Sequence, residues 1–195
     1  RSSFIGVIVE GGAFRNVDID QTRLERVMCQ KVDWAETKLK DSQITRCIWL
    51  DSRLTKLRIY NCEGEKALFN TDTVISGSEI VDSTLNMMNF RDVDLSGNCF
   101  RDSTLTYSDF SNARCEKMLW VKNRMLNCRF LKTDFRDSMF QHCDLSMSNM
   151  QDADLRDASF YDSRLFSVQF LHSRIGGASF SECNLERTLL ENWSP

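Results

Sequence analysis

The chain of 195 residues carries 25 Lys and Arg against 28 Asp and Glu, a formal charge of −3, and is 42% hydrophobic. This balance gives no reason to expect a nucleic-acid partner. No apolar run is long enough to cross a bilayer, and the N-terminus does not read as a secretory signal peptide.

From the N-terminus, one residue in five is apolar. Phe4, Val9, Phe14, Ile19, Leu24, Cys29, Trp34, Leu39, Ile44, Trp49, Leu54, Ile59 and Phe69 keep the spacing, with Gly64 the one failure. Between Phe69 and Ile75 the step is six, which predicts a one-residue frame shift within residues 70–74. From Ile75 the period runs unbroken through Ile80, Leu85 and Phe90 to Phe180, Leu185 and Leu190. The position two places before each slot is mostly small, as at Ala113, Ser138, Ala153, Ala158 and Ala178.

A period of five suits neither regular element. On a helix it advances about 500°, so apolar side chains would spread around every face. On a flat strand an odd spacing sends successive side chains to opposite faces. A chain that turns a corner every five residues satisfies it, because each short segment then points its central residue into one interior. The small residue two places back lies beside the corner, where bulk does not fit.

Column identities set the number of sides. At a spacing of 20, Leu85, Leu105, Met125, Leu145, Leu165 and Leu185 align. So do Phe100, Trp120, Phe140, Phe160 and Phe180. Like stacks on like every fourth segment, which predicts a four-sided coil repeated about nine times over residues 1–195 as a single domain. Before Ile75, Val17, Val27, Val32 and Leu57 fill the small slot, and less regular coils are expected there.

Ala153-Asp154-Leu155-Arg156-Asp157 is the A(D/N)LXX motif of the pentapeptide-repeat family. Ser108-Asp109-Phe110, Thr133-Asp134-Phe135, Cys143-Asp144-Leu145 and Cys183-Asn184-Leu185 are close variants. The chain resembles that family over essentially its whole length. The resemblance implies an all-β fold, a right-handed quadrilateral β-helix. The chain begins at Arg1 within the repeat, and a solenoid needs polar caps that neither end displays. It is therefore expected to be a fragment of a larger protein, its first coil covered by upstream sequence or a partner subunit.

Chemistry is scarce. By phase, Cys29 and Cys115 hold central slots, Cys47, Cys62, Cys128, Cys143 and Cys183 hold small slots, and Cys99 alone points outward. The thiols thus read as small core residues, and their unpaired state suggests a reducing compartment. His142 and His172 lie one and a half laps apart, on opposite sides, and cannot share a metal or a proton relay. The Gly11-Gly12 and Gly176-Gly177 pairs lack the helix of a phosphate loop. Asp92, Asp102, Asp137 and Asp157, each following an arginine, read as a solvated face of mixed charge. A filled solenoid offers no concave pocket. No enzyme, cofactor or metal is expected.

The outer surface remains, and two functions compete for it. Val121, Leu126 and Leu131 point outward in one coil, and Tyr161, Phe166 and Leu171 repeat those columns two coils later. These six residues, in three columns on three faces, are candidate contacts for a protein partner, with Leu126 and Phe166 as anchors. The repeat also resembles in style the repeat segments of bacterial type III effectors and type VI loading adaptors. That resemblance implies a cytoplasmic protein exported by a signal-peptide-independent system. The alternative is a DNA-mimic inhibitor or protector of gyrase, because quinolone-resistance proteins share the repeat. Mimicry needs dense carboxylates, yet residues 1–74 carry 12 basic and 11 acidic groups and residues 75–195 carry 13 and 17. The scaffold is the better expectation.

Overall fold

A computed structural model describes residues 2–191. Its strands are short, mostly three residues, and parallel. They stack into four sheets that form the sides of one solenoid. The first face carries Ser2–Ile5, Thr22–Glu25, Gln43–Thr45, Glu63–Glu65 and Thr84–Asn86. The second carries Ile8–Glu10, Met28–Gln30, Ile48–Leu50 and Leu68–Phe69, and the third Ala13–Arg15, Asp33–Ala35, Arg53–Thr55 and Val74–Ser76. The fourth face is continuous, with nine strands from Asp18–Asp20 to Ser179–Ser181.

The interior is the periodic residue. Leu85, Leu105, Phe110, Trp120, Met125, Phe130, Phe135, Phe140, Leu145 and Phe160 are fully buried. Aromatic columns run along the axis. Phe140 stacks on Trp120 at 5.7 Å and 2°, and on Phe160 at 4.5 Å and 4°. Each such ring removed from water contributes about 1.5–3 kcal/mol.

The small slot has a second duty that crowding alone does not predict. The Ser148 hydroxyl accepts the Cys128 amide and donates to the Met125 carbonyl, at 3.0 and 2.8 Å. Asn98 accepts the Ser78 amide and donates to the Ile75 carbonyl, at 2.7 and 2.9 Å. Buried polar groups must be partnered, and these side chains tie one coil to the next. Size is not decisive, since Met88, Met118 and Val168 fill the slot and are buried.

The expected irregularity before residue 75 is overturned. Coils up to Glu65 have strands on all four faces, whereas among the described residues beyond Asn86 only the fourth face does. On the other faces the pairing narrows to single bridges such as Asp109↔Arg129. The residue before the central slot explains much of this. Asn89, Asp94, Asp109, Asp134, Asp144, Asn149 and Asp154 each accept the amide two residues on. That Asx turn competes with extended backbone. The fourth face has Cys99, Leu119, Met139 and Ser159 at the same position and stays extended.

The register changes from 20 to 21 between Ile48↔Leu68 and Arg53↔Val74. Asn70 fastens the longer corner: its side chain accepts the Asp51 amide at 2.9 Å and the Thr73 hydroxyl at 2.7 Å. An apolar void of about 30 Å³ lies beside it, between Leu54, Leu57, Ile59, Phe69 and Ile75.

Candidate interaction surface

Outward positions come in three kinds: the residues before and after the central slot, and the corner residue two places after it. The corner backbone is left-handed, with φ of 52° at Asn16, 55° at Lys117 and 60° at Asp157. Side chains in this conformation carry strain of about 1–2 kcal/mol unless they are Gly, Asn or Asp.

The third face is closed by ion pairs. Arg136 bridges Glu116 at 2.5 Å and Asp134 at 2.7 Å, and Arg156 binds Asp154 at 2.6 Å. Burial pushes the Asp134 carboxyl up, but the Arg136 guanidinium outweighs it and holds it below its ordinary value. The Arg156 hydrogen bond holds Asp154 low as well. Of the arginine–aspartate neighbours read as a face of mixed charge, Arg91 and Asp92 come within 3.7 Å. Arg136 and Arg156 instead reach back two residues, because both of those positions face outward from one segment while the next residue turns the corner.

The six candidate residues lie on three faces of the coil, two on each. Val121 and Tyr161 lie on the fourth face, in register with Gln141 between them. Leu126 and Phe166 follow the central slots of the first face, and Leu131 and Leu171 those of the second. Tyr161 and Leu171 are 41% and 47% exposed, and the other four are half-buried. Ser146 between the two anchors is buried, its hydroxyl donating to Asp144 at 2.6 Å. Arg187 stands over the Phe166 ring, 5.3 Å from its centre.

Two apolar columns escaped the sequence reading. Ile8, Met28, Ile48 and Leu68 stack in register on the outer side of the second face. Met87, Tyr107 and Met147 share one corner column and are 45%, 60% and 57% exposed. The spacing of 20 that revealed the core columns would have revealed both, had it been applied to outward positions.

The thiols divide differently from expectation in one respect. Cys99 is half-buried, but so is Cys183, which occupies a small slot in the last described coil. Burial pushes Cys62 up to about 11 and Cys128 and Cys143 up to about 12, keeping them protonated. His142 contacts Asp162 at 2.8 Å, and His172 lies 3.6 Å from Asp152. Among the described residues no group of three or more His, Cys, Asp or Glu could hold a metal ion. Nor is there among them a helix long and apolar enough to cross a membrane. Surface grooves are lined by polar side chains, as between Asn16, Asp18, Glu36, Lys38, Lys56 and Arg58.

Comparison with known proteins agrees with this architecture. The family model described as pentapeptide repeats matches residues 127–157, with eight copies. No curated protein matches the chain. Among solved structures, trypsin-treated QnrB1, a plasmid-mediated fluoroquinolone resistance protein, is similar at 18% identity and a TM-score of 0.59. The similarity covers 93% of this chain and 90% of QnrB1, and at that identity it speaks for the fold alone. HetL, a pentapeptide repeat protein involved in heterocyst differentiation regulation from Nostoc sp. strain PCC 7120, shares 14% identity. That likeness covers 98% of this chain and 92% of HetL, with a TM-score of 0.38.

Proposed function

The chain is a pentapeptide-repeat protein, and on that premise we propose that it is a non-enzymatic scaffold that binds a protein partner through its outer surface. The observation that carries this is the grouping of outward apolar residues in columns. Scattered surface hydrophobes are ordinary, but Met87, Tyr107 and Met147 recur in one corner column and Ile8, Met28, Ile48 and Leu68 in one ladder. Aligned side chains on a rigid coil form a surface that a partner can cover.

Within this proposal Val121, Leu126, Leu131, Tyr161, Phe166 and Leu171 are contact candidates. On resemblance of repeat style alone, we extend it to a repeat domain of a larger bacterial effector or loading adaptor, made in the cytoplasm. Gyrase protection by DNA mimicry is less well supported. The third face alternates Arg114, Arg136 and Arg156 with Asp94, Glu116, Asp134 and Asp154, which does not reproduce the uniform charge of a duplex.

The test uses a photo-crosslinking residue placed singly at Val121, Leu126 or Leu131, one coil and three faces, with Arg136 as control. At least one of the three positions is expected to crosslink a discrete protein in native cell extract, and the control none. No product beyond the control at any position overturns the proposal.

A further inference from the structure

Left-handed corners recur along the whole solenoid, and their non-glycine occupants are otherwise Asn, Asp, Glu, Gln, Lys, Arg, His or Ser. Among the described residues only Met87, Tyr107 and Met147 bring a thioether or phenol side chain to such a corner, and all three lie on the edge between the first and second faces. This conformation is sparsely populated by bulky residues, and these side chains gain little burial in exchange.

The same edge holds two more apolar residues. The Tyr107 amide donates to the Leu126 carbonyl at 3.0 Å, and the Met147 amide to the Phe166 carbonyl at 2.9 Å. Successive coils therefore contribute Met87, Tyr107, Leu126, Met147 and Phe166, one each. At about 4.8 Å per coil they follow this edge for roughly 20 Å, Leu126 and Phe166 sitting one residue before corners held by Asn127 and Ser167.

Its flanks are basic. Arg124 and Arg129, one on each side of Leu126 in the same coil, are exposed. Among the described residues neither makes an ion pair. Arg187 lies over Phe166 at the end of this edge. Of the nearby carboxylates, Asp109 accepts from Ser111 at 2.6 Å and Asp144 faces Arg164 at 3.5 Å.

Resting on the scaffold reading, we infer that the row Met87–Tyr107–Leu126–Met147–Phe166 is the docking edge for a protein segment that pairs apolar side chains with carboxylates. Unpaired guanidinium groups suit bidentate carboxylate recognition. A second copy of this chain is disfavoured, because its own arginines would face Arg124 and Arg129. An anionic membrane is also disfavoured, since polybasic membrane sites gather about 4–8 Lys or Arg.

The experiment titrates the whole chain with a helical peptide of leucine and glutamate, its leucine and lysine counterpart, and vesicles of phosphatidylcholine and phosphatidylserine. Ser167 already occupies the corner column with φ of 55°, so Tyr107→Ser with Met147→Ser should fold normally. The glutamate peptide is expected to bind. Both that pair and Arg124→Gln with Arg129→Gln should weaken it about ten-fold, while Met139→Ser at an exposed position of the fourth face should leave it unchanged. Equal binding of the lysine peptide, preference for vesicles, self-association lost in the serine pair, or no binding by any probe would overturn the inference. Crosslinking confined to position 121 or 131 would remove this edge and leave the scaffold reading intact.

Discussion

A Cβ on Gly64 would drive into the carbonyl oxygen of Ile44 in the preceding coil, with the carbonyl carbon only 3.0 Å away. The single break in the apolar period is therefore where one coil sits too close to the last for any side chain. Gly64→Ala should cost about 1–3 kcal/mol, the usual range for overpacking, measured as a shift of the urea midpoint. Unchanged stability would mean that the backbone there yields without strain.

Trp120 offers a contrasting pair of changes. Its indole Nε1 is buried and, among the described residues, without a hydrogen-bond partner, while its column neighbours are Phe100 and Phe140. Trp120→Phe removes the orphan donor along with some volume, and should change stability by no more than about 1 kcal/mol. Phe140→Asp should cost more than the roughly 3–5 kcal/mol of a buried Phe→Ala change, because it also buries a charge. Calorimetric unfolding of the two variants checks both values.

Much of this fold was legible because the period is covalent arithmetic: a corner every five residues leaves one inward position per segment. The frame of Phe140 or Leu145 follows from spacing alone. The hydrogen-bonding duty of Ser148 and Asn98 was not legible, since small size explained their slot without reference to the coil beneath. The loss of strands beyond Asn86 was missed for a related reason. Asp and Asn before the central slot were read as part of a family motif rather than as competitors for the backbone amide. The surface was read least well. Outward residues obey no packing rule, and attention to one offset found Leu126 and Phe166 while passing over Met87, Tyr107 and Met147 beside them.

Thiol reactivity separates buried from open slots. Under native conditions Cys99 and Cys183 should react first with a thiol reagent, and the six buried cysteines slowly. Rapid labelling of Cys128 or Cys143 would show that the small slot opens.

Those thiols also predict a pH dependence. Cys128 and Cys143 ionise in the fold only at about 12, against an ordinary value of 9.0. Below the ordinary value both states are protonated and the fold loses nothing. Above it the unfolded chain ionises first, so stability should fall as pH rises from about 9 toward about 12. Urea midpoints of the native chain and of Cys128→Ala with Cys143→Ala should converge over that range. A constant difference would contradict the assignment.

Gyrase supercoiling should be indifferent to the chain at micromolar concentration, given the mixed charges of its third face. Inhibition or drug protection at sub-micromolar levels would bring the mimicry reading to the front.

The central claim is that function lies on the outside of a rigid solenoid, and Leu126→Ser combined with Phe166→Ser tests it most directly. Neither residue fills the core, so the melting transition should stay nearly unaltered while capture of the crosslinked partner falls sharply, each buried anchor contributing about 1–3 kcal/mol. Full partner binding by the double variant, or loss of its folded state, would contradict the account.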